Sequence, residues 1–87
     1  MFRAKVQVTI KEDVLDPQGQ AVERALHTLG YEGTHSMRIG KYMEFLLEEK
    51  DREKASAQVE EICRRLLANT VIEDYQFTLE ESEGEQR

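Results

Sequence analysis

Residues 34–48 constrain the fold more than any other part of the chain. Met37, Ile39, Met43, Phe45 and Leu47 share one parity, broken only by Lys41, and a period of two marks a strand. Drawn straight, this run would cover about 50 Å at about 3.3 Å per residue. A domain of this size has a radius of gyration of only about 13 Å. The strand therefore outruns its own domain. Either it folds back as a hairpin at Gly40-Lys41, where a leading glycine suits a type II′ turn, or it bends there and carries its far half towards a second subunit.

The remaining segments are shorter and more regular. Phe2, Ala4, Val6, Val8 and Ile10 alternate with Arg3, Lys5, Gln7, Thr9 and Lys11, which predicts a half-buried strand. Its polar face is basic, so it is wet or covered by something acidic. Asp16 as N-cap and Pro17 at the first helical position open a helix, and Gly19 at the third position excludes a capping box. Val22, Ala25, Leu26 and Leu29 follow at helical spacing, and Gly30 suits a left-handed cap. A second helix is predicted over 52–68, capped by Asp51, with Ala55, Val59, Ile62, Cys63 and Leu66 as its apolar stripe. A last strand over 71–79 puts Tyr75, Phe77 and Leu79 on one face.

The order is strand, helix, long bent strand or hairpin, helix, strand. It predicts an α+β fold related to the ferredoxin-like arrangement, an antiparallel sheet with two helices on one face. One domain is expected over 1–79. Residues 80–87 hold four glutamates and one arginine, half of the net charge of −6, and are expected to be a disordered tail. Tyr42 and Leu46 lie on the wrong parity for the inner core, so the opposite sheet face needs a cover. A second copy of the chain is the simplest one. A chain of 87 residues buries only about 60–65% of its unfolded surface, and association is a common way to enlarge such a core.

Composition excludes several classes of function. A net charge of −6 argues against nucleic acid, whose backbone needs clustered Lys and Arg. With 39% hydrophobic residues, the chain is too apolar for disorder and too polar for a membrane span. A single cysteine allows no internal disulfide and no zinc-ligand spacing. Alternation starts at Phe2 with no basic segment leading into an apolar run, so the protein is expected in the cytoplasm.

Chemistry is sparse. Cys63 sits on an apolar helical stripe and reads as a small buried hydrophobe. His27 near a helix C-terminus and His35 near a strand show no His, Cys or carboxylate partner at metal-ligand spacing. Glu73 and Asp74 are adjacent in a strand and point to opposite faces. The glycines form no phosphate-cradling loop. No catalytic, cofactor-binding or metal-ligating residue is therefore predicted. The most promising cluster is Arg38, Gly40, Lys41 and Tyr42, where two cations flank a glycine bend beside a tyrosine. It suits a partner interface.

Four blocks carry a family likeness. They are Val8-Thr9-Ile10-Lys11 through Val14-Leu15-Asp16-Pro17-Gln18-Gly19, Ala21-Val22-Glu23-Arg24-Ala25-Leu26 through Leu29-Gly30-Tyr31, Arg38-Ile39-Gly40-Lys41-Tyr42, and Leu66-Leu67-Ala68-Asn69 through Val71-Ile72-Glu73-Asp74-Tyr75. In this order they resemble the PurS family, the small subunit of phosphoribosylformylglycinamidine synthase in purine biosynthesis. Thr70 departs from the pattern, standing where the family often has proline.

The resemblance implies a subunit with no catalytic residue and no cofactor of its own, a dimer or tetramer. ATP, magnesium and formylglycinamide ribonucleotide are expected on the large synthetase subunit (PurL), and a glutaminase subunit (PurQ) releases ammonia. The small subunit is expected to bridge the two and assist ammonia transfer. Carried to this chain, the contact candidates are Arg38, Gly40, Lys41 and Tyr42, followed by Asp16, Pro17, Gln18 and Gly19. The alternative is a ferredoxin-like regulatory module that binds a small metabolite at a dimer interface. An acylphosphatase-like hydrolase would need an Arg-lined phosphate loop after the first strand. The acidic, glycine-free residues 11–16 exclude it.

Overall fold

The computed structural model describes residues 1–82. Strands β1 (Phe2–Ile10), β2 (Gly40–Leu47) and β3 (Glu73–Glu81) form one antiparallel sheet with β1 in the middle. Helix α1 (Pro17–Thr28) links β1 to β2, and helix α2 (Arg52–Ile62) with a widened π-type turn at Cys63–Leu67 links β2 to β3. This is the α+β antiparallel architecture with two helices that the alternation and capping predicted.

The two parities of β1 do different work. Phe2, Ala4, Val6 and Val8 are all but fully buried. Across the ladder they meet Leu47, Phe45 and Met43 on β2 and Leu79, Phe77 and Tyr75 on β3. Val59 of α2 and Cys63 of the π-type turn close over them, followed by Ala68, and Ala55 of α2 is fully buried as well. Arg52 lies over the Phe2 ring at 5.2 Å from its centroid, a cation–π lid at the rim.

The other parity carries the basic residues, and their acidic cover comes from the same sheet. Arg3 pairs with Glu44 at 3.4 Å and Lys5 with Glu80 at 2.8 Å, while the Gln76 amide donates to Gln7 at 2.6 Å. The Lys5–Glu80 pair also explains how far β3 runs. The strand takes in Glu80 and Glu81, the first residues of the expected acidic tail, and the Ser82 N–H donates to the Met1 carbonyl. Residues 83–87 lie outside the described residues.

Residues 34–48 do not form one long strand or a hairpin. They divide at Gly40, and only Gly40–Leu47 is strand. The reason is competition for backbone groups. The Met37 N–H donates to Glu23, the Ile39 N–H to Asp16, and the Thr34 carbonyl accepts from the His27 ring. Side chains of α1 and of its N-cap thus satisfy the backbone that a longer strand would have paired. Ser36, at φ 60°, turns the chain within this stretch. At Gly40 the ladder to β1 begins so closely that a Cβ would fall 1.9 Å from the Val8 carbonyl oxygen, which only glycine allows.

Both helices begin as their sequences dictate. Asp16 caps α1, accepting from Gly19 N–H at 3.0 Å, and Asp51 caps α2, accepting from Glu53 N–H at 2.9 Å. At the far end of α1, Gly30 N–H donates to His27 and Tyr31 N–H to Leu26 around Gly30 at φ 103°, a Schellman closure. The two helices differ in what they bury. In α1 only Gly19 is buried, and the predicted stripe residues Val22 and Leu29 are 39% and 72% exposed. The molecule is correspondingly elongated, with a radius of gyration of 16.5 Å against about 12–13 Å for a compact domain near this size.

The π-type turn corrects one assignment on α2. Leu66, expected on the buried stripe, is 78% exposed, whereas Ala68 is buried. The wider turn, closed by Ala68 N–H to the Cys63 carbonyl at 3.0 Å, holds one extra residue and shifts the helical phase past Cys63.

Two expectations follow. Asp16 is the one buried charged side chain among the described residues. The Gly19 N–H, then the Ile39 N–H, with Arg38 adding, hold its carboxyl below the usual carboxylate range against a smaller desolvation effect. The ionised form is therefore the one that folding favours. Stability from this group is full above its unfolded pKa of about 3.9 and is lost as pH falls below that. Urea titrations should show Asp16→Asn less stable than the native chain at neutral pH, with the gap closing in acid. The second expectation concerns Thr70, second residue of the turn closed by Ile72 N–H to Asn69 O at 3.0 Å. The hydrogen bonds of that turn leave the Thr70 N–H unused, so Thr70→Pro should raise stability by about 0.4–1 kcal/mol in the same assay.

Candidate functional site

The residues singled out by sequence gather where α1 starts and β2 begins. The Asp16 carboxylate joins the two elements, one oxygen on Gly19 N–H and the other on Ile39 N–H, both at 3.0 Å. Gly19 permits that approach, because a Cβ there would sit 2.4 Å from the Met37 carbonyl oxygen. Pro17 and Gln18, between them, are exposed.

Arg38 reaches back along the chain. Its guanidinium donates to the Ile10 carbonyl, to Thr9 Oγ1 at 3.3 Å and to Glu12 at 3.5 Å. Its buried Nε has no partner among the described residues. Lys41 and Tyr42 are exposed and, being neighbours in a strand, face opposite sides. Tyr42 stands opposite Gln7 on the polar sheet face and donates to Glu44 at 2.7 Å. That bond raises the tyrosine pKa and lowers that of Glu44. The eight residues therefore fall into two groups. Asp16, Gly19, Arg38 and Gly40 hold the junction together, and Pro17, Gln18, Lys41 and Tyr42 are its outer surface.

Beside the junction lies an open cleft of about 770 Å³ between the 11–16 loop, α1 and residues 36–38. Its polar lining mixes Glu12, Asp13, Glu23, Arg24 and Arg38 with His27 and Ser36. Cys63 is fully buried under the sheet, where desolvation first and Glu60 second push its thiol pKa up, away from the reactive thiolate. Tyr75 donates its hydroxyl to Glu60 there, and that bond raises its pKa.

One constellation escaped the sequence reading. A carboxylate oxygen of Glu23 and a ring nitrogen each of His27 and His35 lie within 4.8 Å of one another. Half of the signal was present, since Glu23 and His27 are four apart on one helix and share a face. The other half was not, because the return of residues 34–37 along α1 is a tertiary event.

Large apolar side chains stand in water around α1 and after α2. Leu15, Leu29 and Tyr31 are 66%, 72% and 62% exposed around α1, and Leu66 and Val71 are 78% and 79% exposed after α2. Among the described residues, no helix is long and apolar enough to cross a membrane.

Comparison with known proteins agrees with this picture. Residues 3–81 match the model of the family described as PurS: phosphoribosylformylglycinamidine (FGAM) synthase. The chain is 53% identical to the phosphoribosylformylglycinamidine synthase subunit PurS of Bacillus subtilis strain 168, over 93% of this chain and 95% of that one. It is 37% identical to that of Methanocaldococcus jannaschii, over 95% of this chain and all of that one. The solved B. subtilis PurS superposes with a TM-score of 0.80 over 93% of this chain and 100% of its own. A chain in the structure of PurLQS from Thermotoga maritima, 30% identical, superposes with a TM-score of 0.81 over 91% of this chain and 96% of its own. The chain belongs to the PurS family of phosphoribosylformylglycinamidine synthase subunits.

Proposed function

We propose that this chain serves the synthase as its non-catalytic bridge, holding a large synthetase subunit (PurL) and a glutaminase subunit (PurQ) in fixed relation so that ammonia passes between their sites. The observation that carries this reading is its superposition, over 91% of its length, on a chain of the T. maritima PurLQS assembly. The junction supports it: the Asp16 carboxylate and the Arg38 guanidinium at the start of α1 are used internally, on backbone and side chains of this chain. A bridge needs shape and interfaces, and it excludes water that would protonate ammonia and remove its nucleophilicity. ATP and magnesium then belong to the large subunit, and the assembly works in the cytoplasm. The chain also associates with itself, covering the exposed apolar residues of α1 and the end of α2. Pro17, Gln18, Lys41 and Tyr42 are the contact residues, positioned by Asp16, Gly19, Arg38 and Gly40.

Reconstitution tests the bridge. Large and glutaminase subunits from the same organism should make product from glutamine only when this chain is added. Product formation from supplied ammonia should not require it. Equal glutamine-dependent turnover with and without the chain would overturn the reading. The interface is tested separately: Lys41→Glu reverses an exposed charge without touching the core, and should reduce co-elution with the other subunits on gel filtration. Unchanged co-elution would move the contact elsewhere.

A further inference from the structure

Glu23, His27 and His35 meet along the second half of α1, beyond the junction and independent of any bridging role. We infer that they form an intrachain site for one divalent transition-metal ion of the zinc type. Two imidazoles and a carboxylate are a donor set that Zn²⁺ accepts, with a fourth position left to water. Tetrahedral bonds of about 2.0–2.1 Å place donor atoms roughly 3.3 Å apart. One carboxylate oxygen and one nitrogen of each ring already lie within 4.8 Å of one another, which leaves an approach of at most about 1.5 Å. His35 is exposed and free to make it, with its ring edge-on to that of His27 at a centroid separation of 6.2 Å.

The other two side chains are already held from behind. His27 Nε2 lies 2.8 Å from the Thr34 carbonyl. A carbonyl only accepts, so Nε2 carries the hydrogen and Nδ1 keeps its lone pair. Glu23 Oε1 accepts the Met37 N–H at 2.9 Å and leaves Oε2 unengaged. Outer hydrogen bonds of this kind, to backbone groups, orient the ligands of metal sites. A purely structural account, in which Glu23 and His27 only tie residues 34–37 to the helix, explains those two bonds. It leaves the third member unexplained, since the His35 ring makes no hydrogen bond among the described residues. A bound ion would cross-link α1 to the chain that leads into β2, closing the crossover between them.

The test uses the full chain, stripped with a chelator and titrated with Co²⁺ as a spectroscopic stand-in for Zn²⁺. Visible d–d bands of low-coordinate Co²⁺ should saturate at one ion per chain and disappear when Zn²⁺ is added, and Zn²⁺ should raise Tm. His35→Ala alters an exposed side chain, so it should fold normally by circular dichroism yet bind Zn²⁺ at least about tenfold more weakly and lose the Tm shift. Glu23→Gln can still accept from Met37 and should likewise fold and weaken binding. The inference is overturned by a weak aquo-type Co²⁺ spectrum, by saturation at one ion per two chains, or by unchanged Zn²⁺ affinity in His35→Ala.

Discussion

β1 is the one strand with neighbours on both sides, and its residues from Phe2 to Thr9 serve both ladders at once. Val6 faces Met43 across one ladder and Phe77 across the other while Val59 and Cys63 close over it. Because a strand alternates, a one-residue slip of β1 would send Ala4, Val6 and Val8 to the polar face and Lys5 into the core. The ion pairs of Arg3 and Lys5 reinforce the same register from the other side. Pairing, core composition and surface charge therefore all specify one alignment.

The second constraint is the Asp16 carboxylate. A buried charge is tolerated only when hydrogen bonds replace its water, and here the backbone of two separate elements supplies them. That arrangement fixes the start of α1 against the approach to β2 and requires Gly19 at the contact. From this anchor α1 runs alongside residues 34–37 and leaves most of its apolar stripe outside the core. The resulting shape is long and flat, 49 × 29 × 18 Å along its principal axes.

Much of this was legible in the sequence because short-range rules govern it. The period of two in residues 2–11 identified all four buried residues of β1. The Asp16-Pro17 and Asp51 starts and the Gly30 stop lie where capping chemistry puts them. The failures share a cause, which is competition from distant groups. Met37 and Ile39 keep strand parity, yet their N–H groups are taken by Glu23 and Asp16, so β2 starts only at Gly40. Leu66 fits a 3.6-residue stripe until a π-type turn shifts the phase. At the candidate interface, the Arg38-to-Tyr42 cluster was visible as composition. Only the fold distinguishes Arg38, which is used on the end of β1, from Lys41, which is not.

The exposed side chains around α1 and after α2 tie this protein's stability to concentration. Fully burying one leucine favours the state that buries it by about 1.5–3 kcal/mol, and Leu15, Leu29 and Leu66 are left largely in water in the single chain. Whatever covers them binds the folded form and not the unfolded one, so it stabilises the fold by mass action. The melting temperature of such a chain is a property of the solution it is in, rising with the concentration of whatever covers this surface. Folding and binding then draw on the same hydrophobic surface, and a chain left without a cover keeps the weaker fold.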